Sequence, residues 1–152
     1  MPSRDWDILD NARDLLLATQ EFDNVYRSSL PETRGQASGD RHVAVITFND
    51  WEETDESDDP TSVQTLRKVR WNLTLIVRED DAETRERELD RLLCVAQNTL
   101  DGKSLLNLTI NDWTKLRRGS YAKPEPPSQT MSVMGEFAYW LEGFAGHDLT
   151  AF

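Results

Sequence analysis

The sequence predicts an α+β fold: a mixed or antiparallel sheet of about four strands packed by two main helices, in the order α-β-β-α-β-β. Three observations predict it. Apolar residues recur at helical spacing over Ile8 to Thr19 and again over Leu89 to Leu100, and they alternate with polar residues over Leu66 to Arg78 and Met131 to Leu141. Two helices with one apolar stripe each bury both stripes by packing on a sheet. The 152 residues suit one domain with one core, and a 38% apolar content with five Trp and five Phe sets the chain apart from disordered sequences.

The first helix starts near Asp5, with Asp5 or Ser3 as its cap, and runs to about Thr19. Its apolar stripe is Ile8, Ala12, Leu15, Leu16 and Thr19, and Asp10, Arg13 and Asp14 take the other face. Leu30 to Asp40, with Pro31, Gly35, Ser38 and Gly39, reads as a loop. His42 to Phe48 is rich in β-branched residues and apolar on both sides of its pleat, so it reads as a strand covered on both faces. Asn49 to Gln64 carries a block of like charge, holds Pro60 and lacks periodicity, so it is expected to be a long connection projecting into solvent.

Val69, Trp71, Leu73, Leu75 and Val77 then alternate with Lys68, Arg70, Asn72, Thr74 and Arg78, the pattern of a half-buried strand with Ile76 as its one exception. Asp80 and Asp81 sit where a helix dipole favours negative charge. Leu89, Leu92, Leu93, Ala96 and Leu100 make the main core helix, stopped by Gly102 at C′. Leu106 to Leu116 alternates less cleanly and is expected to be a strand that extends toward Tyr121. Pro124, Pro126 and Pro127 form a stiff connection before the closing strand Met131 to Leu141.

Net charge is −11, and seven acids fall within ten residues: Asp50, Glu52, Glu53, Asp55, Glu56, Asp58 and Asp59. Such a chain gains nothing from phosphate neutralisation, so neither nucleic-acid binding nor an anionic membrane surface is expected. A single cysteine, Cys94, excludes an intrachain disulfide and fits a reducing cytoplasm; it is expected in or near the core. Met1 to Asp10 carries no signal-like apolar run, and no segment has the length and apolarity of a membrane span.

No motif supplies chemistry. Gly102-Lys103-Ser104 ends like a phosphate loop, but Gln97 stands where its first glycine belongs, so the segment reads as a helix stop. His42 and His147 lie in no hydrolase or zinc pattern, and no Cys/His cluster exists. The acidic block lacks the glycine turn of a calcium loop. No cofactor, metal or catalytic residue is therefore expected. The acidic block is expected to dock a basic partner or to line a passage that DNA traverses unbound. Trp51, Trp71, Trp113, Trp140 and Tyr139 offer large aromatic surface for core or interface. Met134 and Trp140, on the polar side of the closing strand, are candidates for a subunit interface.

In element order the chain resembles the tail terminator family of long-tailed bacteriophages, also called minor tail or tail completion proteins. The resemblance rests on the Ile8 to Thr19 helix, the strands Val43 to Phe48 and Val69 to Val77 around a long loop, the Glu83 to Leu100 helix, and the closing strand with Gly135-Glu136-Phe137-Ala138-Tyr139. It implies a virion protein, assembled in the host cytoplasm, that forms a ring, typically a hexamer, at the head-proximal end of the tail tube. Its implied partners are the tail tube protein and the head connector. The contact loops would then include Asp50, Trp51, Glu52, Glu53, Asp55, Glu56, Asp58 and Asp59, with Tyr121 and Lys123 in the loop from Gly119 to Gln129. A head-closure or neck adaptor is the nearest alternative. A small enzyme or ligand-binding domain using Asp112 or Glu136 is the alternative from another class.

Overall fold

The computed structural model describes residues 5–27, 40–55, 62–102, 105, 113–122, 124–144 and 150–151. Helix α1 spans Asp5–Ala18, β1 Asn24–Arg27, β2 His42–Asp55, β3 Ser62–Arg78, α2 Ala82–Leu100, β4 Trp113–Tyr121, β5 Ser128–Phe144 and β6 Thr150–Ala151. The strands form one sheet in the order β1-β2-β3-β5-β4, with β6 paired to β5. The β1–β2 pair is parallel and the other pairs are antiparallel. The fold is thus the expected α+β class. Among the described residues it has six strands rather than four because β1 and β6, at four and two residues, are too short to show a period.

Both described helices pack on one face of the sheet. Ile8, Leu9, Ala12 and Leu16 of α1 and Leu89, Leu92, Ala96 and Leu100 of α2 join Ala44, Ile46, Val69, Trp71, Leu73, Leu75, Val77, Met131, Val133, Phe137 and Tyr139 in one core. These are the in-phase residues of the predicted stripes, together with Leu9, which lies one position off its stripe. Strand β2 is buried on both faces from Val43 to Ile46, as its double-sided apolar pattern predicts. Asp81 caps α2 by accepting the Thr84 backbone N–H at 2.9 Å. Gly102, at φ +73, ends it, as its C′ position requires.

At the centre, Trp71 lies fully buried against Gly135, its register partner on β5. A Cβ at Gly135 would stand 2.4 Å from the indole ring, so only glycine leaves room for it. Strands β3 and β4 run parallel to each other but are not neighbours, because β5 lies between them.

Two expectations are corrected. The acidic stretch is not a loop as far as it is described: β2 continues through Asp55, and β3 resumes at Ser62. The self-repulsion read from the sequence is offset across the ladder, where Asp50 faces Arg70, Glu52 faces Lys68 and Glu53 faces Arg67. Cys94 is exposed, not in the core. It falls between Leu92 and Ala96 in sequence, and two helical residues are some 200° of rotation from a stripe position.

Candidate assembly surface

The strands outrun the helices. Helix α2, 19 residues long, rises about 28 Å, whereas the 17 residues of β3 and of β5 each extend roughly 56 Å. On the helix-bearing face of β3 the apolar series ends at Val69, and Arg67 and Thr65 follow in the same phase. The first described residue of α1, Asp5, meets the row of Arg67 and Tyr139, so Ser62 to Leu66 of β3 continue past it as an arm with β5.

A polar clamp closes the core at the base of this arm. The Asp5 carboxylate accepts from Arg67 Nε at 3.0 Å and from Tyr139 Oη at 2.8 Å, and Arg67 Nη1 donates to Glu53. Asp5, Arg67 and Tyr139 are all buried. Burial works against the Arg67 charge, but the hydrogen bonds it donates to Asp5 and Glu53 outweigh it and hold the guanidinium more firmly protonated than usual. The clamp welds the start of α1 to β2, β3 and β5.

Around it lies an aromatic surface. Trp6, Phe48 and Trp51 are exposed, with 59% and 57% of the two tryptophans open to solvent. Trp6 and Phe48 meet edge to face at 5.1 Å, Arg27 lies 5.0 Å from the Trp6 ring centre, and Arg67 lies 4.2 Å from that of Trp51. With Asp5, Asn49, Asp50 and Val69 these rings line a hollow of about 270 Å³. Its two carboxylates are engaged, Asp5 as described and Asp50 by Arg70 Nη1 at 3.0 Å, so neither is poised as a base.

On the opposite face, which carries no helix among the described residues, Arg70 gathers three carboxylates: Asp50 at 3.0 Å, Glu52 at 3.2 Å and Glu136 at 3.5 Å. The hydrogen bonds it donates to Asp50 and then to Glu52 raise its pKa further. Glu136, one of the residues weighed for an enzyme, is buried in this ion-paired group. Met134 is half-buried on the same face, beside a hollow of about 150 Å³ with Asn72, Ser120 and Ser132. Trp140 follows in that phase on β5.

The predicted contact residues therefore separate. Asp50, Trp51, Glu52, Glu53 and Asp55 belong to β2, and Tyr121 is the exposed last residue of β4 rather than part of a loop. Glu56, Asp58, Asp59, Lys123, Asp112 and His147 lie outside the described residues, as do the side chains of Trp113 and Trp140. His42 Nε2 stands 3.1 Å from a Glu88 oxygen at the other end of the sheet. Sequence reasoning missed Trp6, Phe48 and Arg27 as surface residues. The usable signal for Trp6 was its place two residues before Ile8, off the apolar stripe; for Arg67 it was a charge in the core phase of β3.

Among the described residues, fold and surface define an α+β protein with two helices on one face of its sheet and an aromatic and acidic arm. No family model matches the chain, and no curated protein matches it. Among solved structures it is similar to a chain of the "Virion of native gene transfer agent (GTA) particle", at 12% identity and a TM-score of 0.47, over 88% of this chain and 89% of that one.

Proposed function

We propose that this chain, as one domain, is a structural virion protein that assembles as a ring, a hexamer in our reading, on the head-proximal end of a phage tail tube. There it stops tube growth and presents the surface for head joining. The observation that carries the reading is the arm: strands about twice as long as the helix packed on them, with exposed Trp51 of β2, exposed Trp6 of α1 and paired charges at its base. A monomer gains little from holding Trp6 and Trp51 in water, whereas aromatic residues and arginine are the groups that anchor protein contacts. The resemblance in element order to tail terminators supplies the partners, a tail tube protein and a head connector. The acidic balance suits a ring through which DNA passes without sticking.

Mixing the purified protein with its tail tube protein tests this. Electron micrographs are expected to show annuli and tubes of limited length. Unlimited tube growth, with the protein left monomeric, contradicts the reading. A ring that binds the connector but leaves tube growth untouched would favour the neck-adaptor role instead.

A further inference from the structure

The strands at the two sides of the sheet carry opposite charge. On one side β1 pairs with β2 only as far as Ile46, and among the described residues no strand covers β2 from Thr47 to Asp55. That stretch holds Asp50, Glu52, Glu53 and Asp55 and no basic residue. On the other side β4 is the outer strand among the described residues, and it holds Lys115, Arg117 and Arg118 and no acid of its own, with the Asp101 carboxylate accepting its Leu116 N–H. The cations of β3 offset the acidic edge only in part: Lys68 faces Glu52, but Arg70 is shared by Asp50, Glu52 and Glu136, and Arg67 by Asp5 and Glu53.

The register sharpens this. Asp50 pairs with Arg70, Arg70 with Glu136, and Glu136 with Lys115, so one row on the face opposite the described helices crosses four strands with alternating sign. It begins negative at the β2 edge and ends positive, with an exposed Lys115, at the β4 edge. Two identical edges brought together would place like charges opposite each other, which disfavours a two-fold contact. The acidic edge against the basic edge of another copy continues the alternation.

We propose that these two edges are the halves of one head-to-tail contact between copies of this chain, with Asp50 of one copy opposite Lys115 of the next. It rests on the ring reading and names the contact that builds the ring. Strand β2 and the β4 of the next copy then run antiparallel, as neighbouring strands do over most of the sheet. The Thr114 carbonyl and Leu116 N–H of β4 are already bonded to Gly102 and Asp101. The contact in this row is therefore made by side chains reaching over that cap rather than by new ladder bonds. A head-to-tail contact closes into a ring when its rotation divides a full turn.

Charge exchange tests it on the full chain by sedimentation velocity, alone and with tube protein, with circular dichroism confirming the fold. Asp50→Lys and Lys115→Glu are each expected to weaken association roughly a hundredfold, since like charges then face each other across the contact. An equal mixture of the two variants, or the double variant alone, is expected to recover it. Should Asp50→Lys disturb its own sheet, Glu52→Lys on the exposed neighbouring position replaces it. Rings that persist in both single variants, or a mixture that recovers nothing, overturn the edge contact while leaving the ring reading intact. A wild-type chain that never self-associates, with or without tube protein, overturns both.

Discussion

One strand shows two kinds of chemistry. From Val77 down to Val69, the helix-side residues of β3 are apolar and fully or almost fully buried beneath α1 and α2. From Arg67 down to Thr65 the same phase turns polar, and the neighbouring strand β2 turns acidic and aromatic. The difference teaches that strand length and core length are set separately: the described helices cover one part of the sheet, and in the proposed reading the remaining part serves contact. The Arg67 clamp marks the boundary between the two.

The helix-covered half should be the costly one to damage. Trp71→Ala removes the largest fully buried side chain and is expected to destabilise the fold by about 3–5 kcal/mol; chemical denaturation measures this, and a loss below about 1 kcal/mol would show that the core does not depend on the indole. At the boundary, Arg67→Met leaves the Asp5 carboxylate buried with Tyr139 and without its cation, at a cost of about 3 kcal/mol. Asp5→Asn should recover part of that loss in the double variant. Additive losses would mean that the two residues do not act as a pair.

Gly135→Ala pushes a methyl group into the Trp71 ring and should cost about 1–3 kcal/mol. Combined with Trp71→Leu, the penalty should shrink, because the ring that the methyl meets is gone.

Acid sensitivity should come from the helix-covered half. The Asp23 carboxylate is held below its usual pKa by the backbone N–H of His42 and then that of Arg41, Glu88 by Arg91, and Asp81 by Thr84. A carboxylate lowered on folding contributes stability that is complete above its unfolded pKa, about 4, and is lost as pH falls through the folded value. Thermal melts should therefore be flat between neutral pH and about 5 and fall below about 4. Asp23→Asn should remove part of that fall, and an unchanged profile would remove Asp23 from the account.

The smallest effect on stability belongs to the arm. Trp51→Ser, at an exposed position, should change monomer stability by no more than about 0.5 kcal/mol.

How far the sequence disclosed this follows the same division. The periods of α1, α2, β3 and β5 were legible because each buries one face, and burial is what imposes a period. The arm was misread as a loop because its acids are balanced by residues some 15 to 20 positions later, as with Asp50 and Arg70, and no local pattern reports a cross-strand partner. Trp51 was legible as a candidate contact. Trp6, Phe48 and Arg27 come together only through tertiary packing of α1 and β1 on β2. Cys94 was placed in the core by the habit of its residue type, when the angular position between Leu92 and Ala96 would have placed it outside.

The most direct test of the central claim separates folding from assembly in one molecule. A Trp6→Ser, Trp51→Ser, Glu52→Lys triple variant should melt cooperatively within a few degrees of the wild type, by about the shift that 1 kcal/mol produces, yet form no annuli with tube protein in electron micrographs. A variant that assembles as the wild type does, or that loses its fold along with its rings, would contradict the division of this sheet into a folding half and an assembly half.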